Sequence, residues 1–299
     1  IIIAPQYLIT TDLNHWQPSN EYVFWSGTTP WSSGEQSSST TQHPRSYAIS
    51  SFSIMDSLIS HLLSNFSNLQ DIVLVGNSAG GQFVNRYAAG SDQEGGGMIR
   101  YVVSAPSSYL YFDENRYNEY QMPFSWSVPQ GCTGYNDYKY GLNDLNEYME
   151  NAGIDSILSR YDRRNIQYLI GENDTGGTQD CESMVQGSNR LERSIIFFNY
   201  LKYFFGNDIM ENQQIALISD VGHSYNNIFS SECGRAAIFN FGSCDQFQNV
   251  SYPTASFTSQ NNSGNYPHVI NFINESDQGT YPIQQFVWNI GNEIIFSNG

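Results

Sequence analysis

Six residues, Gly76-Asn77-Ser78-Ala79-Gly80-Gly81, have the types and spacing that nucleophilic catalysis requires. They follow the β-branched apolar run Ile72–Val75 and precede a helical pattern over Gln82–Ala88. A Gly-x-Ser-x-Gly turn between a strand and a helix holds the serine hydroxyl clear of the backbone. The helix begins at the same point, so the N–H of Ala79 would face an oxyanion formed there. The pattern predicts Ser78 as a nucleophile; the alternative is a glycine-rich turn that packs a helix on a strand.

A serine hydroxyl becomes nucleophilic only with a base beside it and a carboxylate that orients the base. With this turn, the acid and then the histidine follow in the chain, each after a later strand. Asp174 follows the apolar run Ile166–Ile170, and we predict it as the acid, with Glu172 as a weaker candidate. An ordinary Asn-Asp turn is the alternative for this loop.

His223 follows the apolar run Ile215–Ser219, where the base of such a site belongs. We predict it as the general base; the alternative is a loop histidine bound to backbone. The other histidines have no comparable position: His15, His43, His61 and His268.

Short apolar runs that alternate with helical patterns must position these residues. The runs that predict strands are Ile1–Ala4, Tyr22–Trp25, Ile72–Val75, Tyr101–Ser104, Ile166–Ile170 and Ile215–Ser219. Apolar residues at helical spacing predict helices over residues 47–63, 190–204 and about 226–239. Alternating β and α elements predict an α/β fold with a mostly parallel sheet flanked by helices.

Residues 107–164 separate two predicted strands by far more than a normal connection. The segment is rich in aromatic residues, namely Tyr109, Tyr111, Phe112, Tyr117, Tyr120, Phe124, Trp126, Tyr135, Tyr138 and Tyr140. We interpret it as an insertion that caps the site and lines an aromatic cleft. A packed surface subdomain without a substrate role is an equal alternative.

The C-terminal segment, residues 245–299, contains neither lysine nor arginine. Two runs in it, His268–Ile273 and Ile283–Phe296, predict strands around a Ser-Asp-Gln-Gly turn. We expect a β-rich extension that could offer a strand edge for self-assembly.

The charge of the chain excludes two classes of partner. Lys and Arg number 12 against 29 Asp and Glu, a net charge of −17. Nucleic acids and anionic membrane surfaces both require basic patches, so neither is expected as a partner. No apolar run is long enough to span a membrane.

The cysteines and the glycosylation sequons together predict secretion. An even number of cysteines, without Cys-x-x-Cys or a histidine at ligand spacing, favours two disulfides over zinc. Three pairings are possible; we favour Cys233–Cys244, which closes a short loop and leaves Cys132–Cys181. Asn-x-Ser/Thr sequons stand at Asn65, Asn173, Asn249, Asn261 and Asn274. No metal or other cofactor is predicted.

Several segments resemble an α/β-hydrolase-fold group of esterase-like proteins from bacteria and fungi. They are Gly76–Tyr87, Ala105–Leu110, Tyr138–Leu142, Gly187–Arg193 and Gly222–His223. The resemblance spans residues 1–240, and it implies a serine hydrolase with Ser78, Asp174 and His223 as its triad. It supports a hydrolase-like sheet domain over residues 1–244 and an extension over 245–299. It implies no particular substrate.

Relatives in this group carry an earlier strand whose His-Gly-type loop supplies a second oxyanion N–H. This loop would precede Ile1, and the opening Ile1–Pro5 itself resembles an interior strand, so we interpret the start as a cut. Without that loop, only the N–H of Ala79 is identified as an oxyanion donor, which puts the activity in question.

The sequence thus predicts a secreted serine hydrolase that cleaves carboxylic esters, with either a small molecule or a polymer as its substrate. The alternative is a hydrolase-fold glycoprotein that serves as a structural subunit of an extracellular assembly.

Overall fold

A computed structural model describes residues 1–28, 30–118, 125–245, 247–248, 256–260, 271–276, 285–290 and 293–298. Its strands are β1 (Ile72–Asn77), β2 (Ile99–Ser104), β3 (Arg116–Asn118), β4 (Ser125–Ser127), β5 (Asn165–Gly171), β6 (Gln213–Ile218), β7 (Phe247–Gln248), β8 (Phe257–Gln260), β9 (Asn271–Asn274), β10 (Gln285–Ile290) and β11 (Glu293–Asn298). Its α-helices are α1 (Thr10–Trp16), α2 (Ser51–Asn65), α3 (Ala79–Gly90), α4 (Glu147–Ala152), α5 (Ile154–Tyr161), α6 (Cys181–Met184), α7 (Arg190–Phe205), α8 (Tyr225–Ser230) and α9 (Glu232–Phe239). Short 3₁₀ helices cover Trp31–Ser33, Gly95–Gly97 and Asn207–Glu211.

The main sheet has the strand order β1-β2-β5-β6-β7. Strands β1, β2, β5 and β6 pair in parallel, and β7 joins β6 in the antiparallel sense. Helix α3 packs against β1 and β2, and α7 packs against β5. The α/β fold and the strands predicted in these four regions are therefore confirmed. Because the four strands are parallel, their carboxyl ends, and the loops that follow them, share one edge of the sheet.

Helix α2 begins four residues later than predicted, because Ser50 caps it. The Ser50 hydroxyl accepts a hydrogen bond from the Phe52 N–H and donates one to the Gly34 carbonyl at 2.7 Å. A serine at this position satisfies a free N–H of the first turn, which fixes the start of the helix.

The helix predicted over residues 226–239 is two helices, α8 and α9, separated at Ser231. The Ser231 hydroxyl accepts from the Gly234 N–H at 3.0 Å, which starts α9 in a new direction. A Cβ at Gly234 would lie 2.1 Å from the Ile228 carbonyl oxygen, so the close approach of the two helices requires a glycine there.

The two strands predicted before residue 26 are wrong. Ile1–Ala4 forms no strand, and Ile1, Ile2 and Ile3 are 98%, 86% and 46% exposed. In Tyr22–Trp25, only Trp25 forms an isolated bridge, with Ile9. An apolar run becomes a strand only where a neighbouring strand accepts its hydrogen bonds, and neither run has such a neighbour among the described residues.

Aromatic residues of the 107–164 segment contribute to the core. Tyr109, Tyr111 and Phe112 are at most 5% exposed. Tyr109 stacks on Phe197 of α7 at 4.2 Å between ring centroids, and Tyr111 lies 4.4 Å from Tyr200 of the same helix. Because these three rings are buried against α7, they do not line an open cleft. Tyr120 and Phe124 lie outside the described residues.

The chain divides into two compact units. One comprises residues 1–117 and 126–248, and the other comprises residues 118–125 and 249–299. Strand β7 pairs with β6 although it lies beyond the predicted boundary after Cys244. In the second unit, β8 pairs antiparallel with β9, and β10 pairs antiparallel with β11. The sequence predicted one strand over Ile283–Phe296, whereas the structure has two strands there, β10 and β11, which pair antiparallel.

The favoured cysteine pairing is confirmed. Cys132 bonds to Cys181 across a separation of 49 residues, and Cys233 bonds to Cys244 across 11. In the part of the chain that is described, none of the helices has the length and apolar character needed to cross a bilayer.

Candidate active site

Ser78 occupies a strained turn between β1 and α3. Its φ of 57° and ψ of −116° lie in a region that non-glycine residues rarely adopt. The turn is held from both sides: the Ser78 N–H donates to the Ser104 carbonyl at 2.9 Å, and its own carbonyl accepts from the Gln82 N–H at 3.0 Å. The half-buried Ser78 therefore sits at the carboxyl edge of the sheet, directly before the first turn of a helix.

Two glycines allow the close approaches that build this turn. A Cβ at Gly76 would lie 2.2 Å from the Gly80 carbonyl oxygen, and one at Gly81 would lie 2.3 Å from the Ser104 carbonyl oxygen. A Cβ at Gly80 would meet nothing within 4 Å. The turn therefore requires glycine at Gly76 and Gly81, but leaves room for a methyl group at Gly80.

Asp174 and His223 are brought together by the loops that follow β5 and β6. Asp174 Oδ2 lies 2.7 Å from His223 Nδ1, and the aspartate side chain is 1% exposed against 31% for the imidazole. The loops hold each other through the backbone, since the Asn173 N–H donates to the Val221 carbonyl at 2.9 Å. A carboxylate only accepts, so Nδ1 carries the proton and Nε2 is left with its lone pair.

Strained backbone is concentrated at the same edge of the sheet. Ser78 follows β1, Ala105 follows β2, and Asp220 lies two residues beyond β6, with φ values of 57°, 44° and 60°. Positive φ at non-glycine residues costs about 1–3 kcal/mol each and tends to occur at functional sites. The strained residues therefore mark this edge of the sheet as the candidate active site.

The structure joins two of the three predicted triad residues directly. Asp174, and not Glu172, contacts the imidazole of His223. Among the described residues, no hydrogen bond joins the Ser78 hydroxyl to His223. Catalytic hydrogen bonds between nucleophile and base are often long before a substrate is bound.

Two arginines of α7 hold this region, and sequence reasoning assigned a role to neither. Arg190 Nη1 lies 3.3 Å from Asp174 Oδ1, and Arg190 Nε donates to Ser107 Oγ at 3.2 Å. Arg193 is fully buried and donates to the carbonyls of Gly187, Ser107 and Thr178. Burial lowers the pKa of Arg193, and the charge of Asp180 partly opposes this. The only sequence signal was that both residues lie in the Gly187–Arg193 segment that carries the resemblance.

Three of the five sequon asparagines lie among the described residues. Asn65, Asn173 and Asn274 are exposed, so each could be reached by a glycosylating enzyme. Asn173 is exposed although the adjacent Asp174 is buried. Asn249 and Asn261 lie outside the described residues.

Comparison with known proteins finds a distant structural similarity. The chain is similar to the crystal structure of LpqC, a poly(3-hydroxybutyrate) depolymerase from Bordetella parapertussis, with a TM-score of 0.48 and 17% identity. The match covers 76% of this chain and 70% of that one. No protein-family model matches the sequence, and no curated protein matches it.

Proposed function

We propose that the protein is a serine hydrolase that cleaves carboxylic esters through an acyl-enzyme. The observation that carries this proposal is the 2.7 Å contact between buried Asp174 and His223. It lies at the sheet edge that also bears the strained turn of Ser78. The proposed nucleophile, acid and base thus follow β1, β5 and β6, and this is the chain order that the chemistry uses.

In the first half of the reaction, Ser78 Oγ attacks the ester carbonyl carbon while its proton passes to His223 Nε2. The carbonyl oxygen becomes an oxyanion, which the N–H of Ala79 stabilises as the first residue of α3. The C–O bond then breaks, and the Nε2 proton goes to the leaving alkoxide. The products are an alcohol and an acyl group on Ser78.

In the second half, His223 Nε2 takes a proton from water, whose oxygen attacks the acyl carbon. The proton then returns to Ser78 Oγ, and a carboxylic acid leaves. Asp174 keeps the imidazole in the tautomer with Nδ1 protonated and stabilises the imidazolium formed in each half. An amide substrate is less expected, since the sequence gives no sign of a deep polar cleft.

Secretion is part of the proposal. Two disulfides among the described residues suit an oxidising compartment, and the exposed sequons at Asn65, Asn173 and Asn274 suit a glycoprotein. Treatment of the native protein with a glycosidase, followed by peptide mass spectrometry, would show which asparagines carry glycans.

A fluorophosphonate probe, which reacts with activated serines, tests the activity. We expect the full chain to be labelled and Ser78→Ala to remain unlabelled. Ser57→Ala is a matched control, because Ser57 lies exposed on α2 and its hydroxyl donates to the Ser53 carbonyl of the same helix. That variant should be labelled like the unmodified protein.

Two outcomes of this experiment would count against a hydrolase. Labelling that survives in Ser78→Ala would place the reactive serine elsewhere. An unlabelled but folded full chain would favour the alternative function, a structural glycoprotein that keeps a hydrolase-like fold.

A further inference from the structure

The first turn of α7 is bound to the loop that carries Asp174. The Leu191 N–H donates to the Asp174 carbonyl at 3.1 Å, and the Arg190 N–H donates to the Gly176 carbonyl at 2.8 Å. These N–H groups have no acceptor within the helix, so the loop satisfies them. The helix thereby fixes the backbone of the acid loop.

The side chain of Arg190 extends this contact to the carboxylate itself. Asp174 Oδ2 faces His223, while Oδ1 faces Arg190 Nη1 at 3.3 Å. Arg190 is anchored in turn by Ser107, which follows β2. A rotation of the carboxylate would lose both contacts, so the guanidinium holds the orientation that presents Oδ2 to the imidazole.

Arg190 and Arg193 differ in what they bind. Arg193 donates to the backbone carbonyls of Gly187, Ser107 and Thr178, and in the described part of the chain no hydrogen bond or ion pair joins it to Asp174. The Arg190 side chain is 17% exposed, whereas Arg193 is completely buried. A substitution at Arg190 should therefore be tolerated by the fold more readily than one at Arg193.

We infer that Arg190 is a positioning residue for the Asp174–His223 pair, an inference that rests on the hydrolase function proposed above. It has two effects. It fixes the carboxylate rotamer, and it offsets part of the negative charge that would otherwise hold a proton on the imidazole.

The ionisable groups around Asp174 determine in which direction the loss of Arg190 would change the charge near the imidazole. Among the described residues they include His223, which contacts the carboxylate, Arg190 of α7, which forms an ion pair with it, and Tyr109, which is affected by its charge. Tyr109 stays neutral, because burial chiefly, and to a smaller extent the charge of Asp174, raises its pKa. Arg190 thus places a permanent positive charge in direct contact with the carboxylate. Its loss makes the surroundings of the imidazole more negative, which favours the positively charged imidazolium over the neutral base.

The rate of fluorophosphonate labelling between pH 5 and 9 tests this inference on the full chain. We expect Arg190→Gln to be labelled about 10- to 100-fold more slowly than the unmodified chain. This factor corresponds to the loss of one hydrogen bond to a charged group. The acidic limb of its rate profile should move to higher pH. Arg190→Lys, which keeps the charge, should retain the original limb while remaining slower. Arg163→Gln is the matched control, since its side chain is 68% exposed and bonds to Ser159 of α5.

Circular dichroism and thermal midpoints would establish that each variant is folded. If Arg190→Gln does not fold, the labelling rate of Arg190→Lys tests the positioning role instead. Equal rates and equal limbs for Arg190→Gln and the unmodified chain would overturn the role of Arg190 and leave the hydrolase intact. If the acidic limb of the rate profile moves as far in Arg190→Lys as in Arg190→Gln, the charge effect is overturned. If the unmodified chain is not labelled at all, the hydrolase proposal itself fails, and this inference fails with it.

Discussion

A methyl group added at Gly76 would collide with backbone atoms, which have little freedom to move. Its Cβ would lie 2.2 Å from the Gly80 oxygen and 2.3 Å from the Gly80 carbonyl carbon. We predict that Gly76→Ala lowers the free energy of unfolding by about 1–3 kcal/mol, as overpacking does elsewhere. It should also slow labelling of Ser78, because the turn that exposes the hydroxyl would open. Urea unfolding and probe labelling measure the two effects.

Gly80→Ala is the matched control for this prediction. Its Cβ would meet nothing within 4 Å, and alanine favours a helix over glycine by about 1 kcal/mol. Stability should be unchanged or higher in this variant. Equal losses in the two variants would show that the turn is not packed as described.

The residues of the candidate site could be predicted where chemistry and chain order restrict the choice. Ser78 is marked by its motif, and Asp174 and His223 follow strands in the required order. Arg190 could not be found this way, because its contact with Asp174 depends on where the first turn of α7 docks. An arginine at the start of a helix gives no local signal of such a contact.

Among the elements, those with a complete local pattern were predicted well. Helix α7 combines apolar spacing with an Asn189 cap, whose side chain accepts from the Glu192 N–H, and a glycine after its end. The strands β1, β2, β5 and β6 are short apolar runs bounded by helical segments. Ile1–Ala4 is apolar like these strands but pairs with none of the described residues, because pairing depends on the tertiary position of a neighbouring strand and not on local composition.

The two disulfides differ in the length of chain that they constrain. Cys132–Cys181 spans 49 residues and Cys233–Cys244 spans 11. On the loop-entropy account, the longer closure stabilises the fold by about 1 kcal/mol more. We therefore predict that the double alanine variant of Cys132 and Cys181 is the less stable of the two double variants. Urea unfolding would measure this difference, and the reverse order would contradict it.

For the whole molecule, the C-terminal unit raises the question of self-assembly. Three apolar side chains of the β8–β9 pair are exposed, namely Phe257, Phe272 and Ile273, at 57%, 40% and 40%. The segment after residue 244 contains no lysine, the charge that natural proteins favour for protecting strand edges. We propose that this unit mediates contact between copies of the chain.

Truncation after Gln248 tests that proposal and preserves β7, which belongs to the main sheet. We predict that the truncated chain keeps the labelling rate of the full chain but forms a smaller assembly. Light scattering after size-exclusion chromatography would measure the mass. An unchanged oligomeric state would refute the role in assembly, whereas a loss of labelling would show that the catalytic unit needs the extension.

We propose that Ser78, His223 and Asp174 form one catalytic site. The most direct measurement is a crystal structure of the full chain after reaction with a fluorophosphonate. We predict phosphorus bonded to Ser78 Oγ and His223 Nε2 within about 2.6–3.2 Å of the adduct or of Oγ. The contact of Nδ1 with Asp174 should persist at close to its present 2.7 Å. An adduct on another residue, or an imidazole out of reach of Ser78, would contradict the claim.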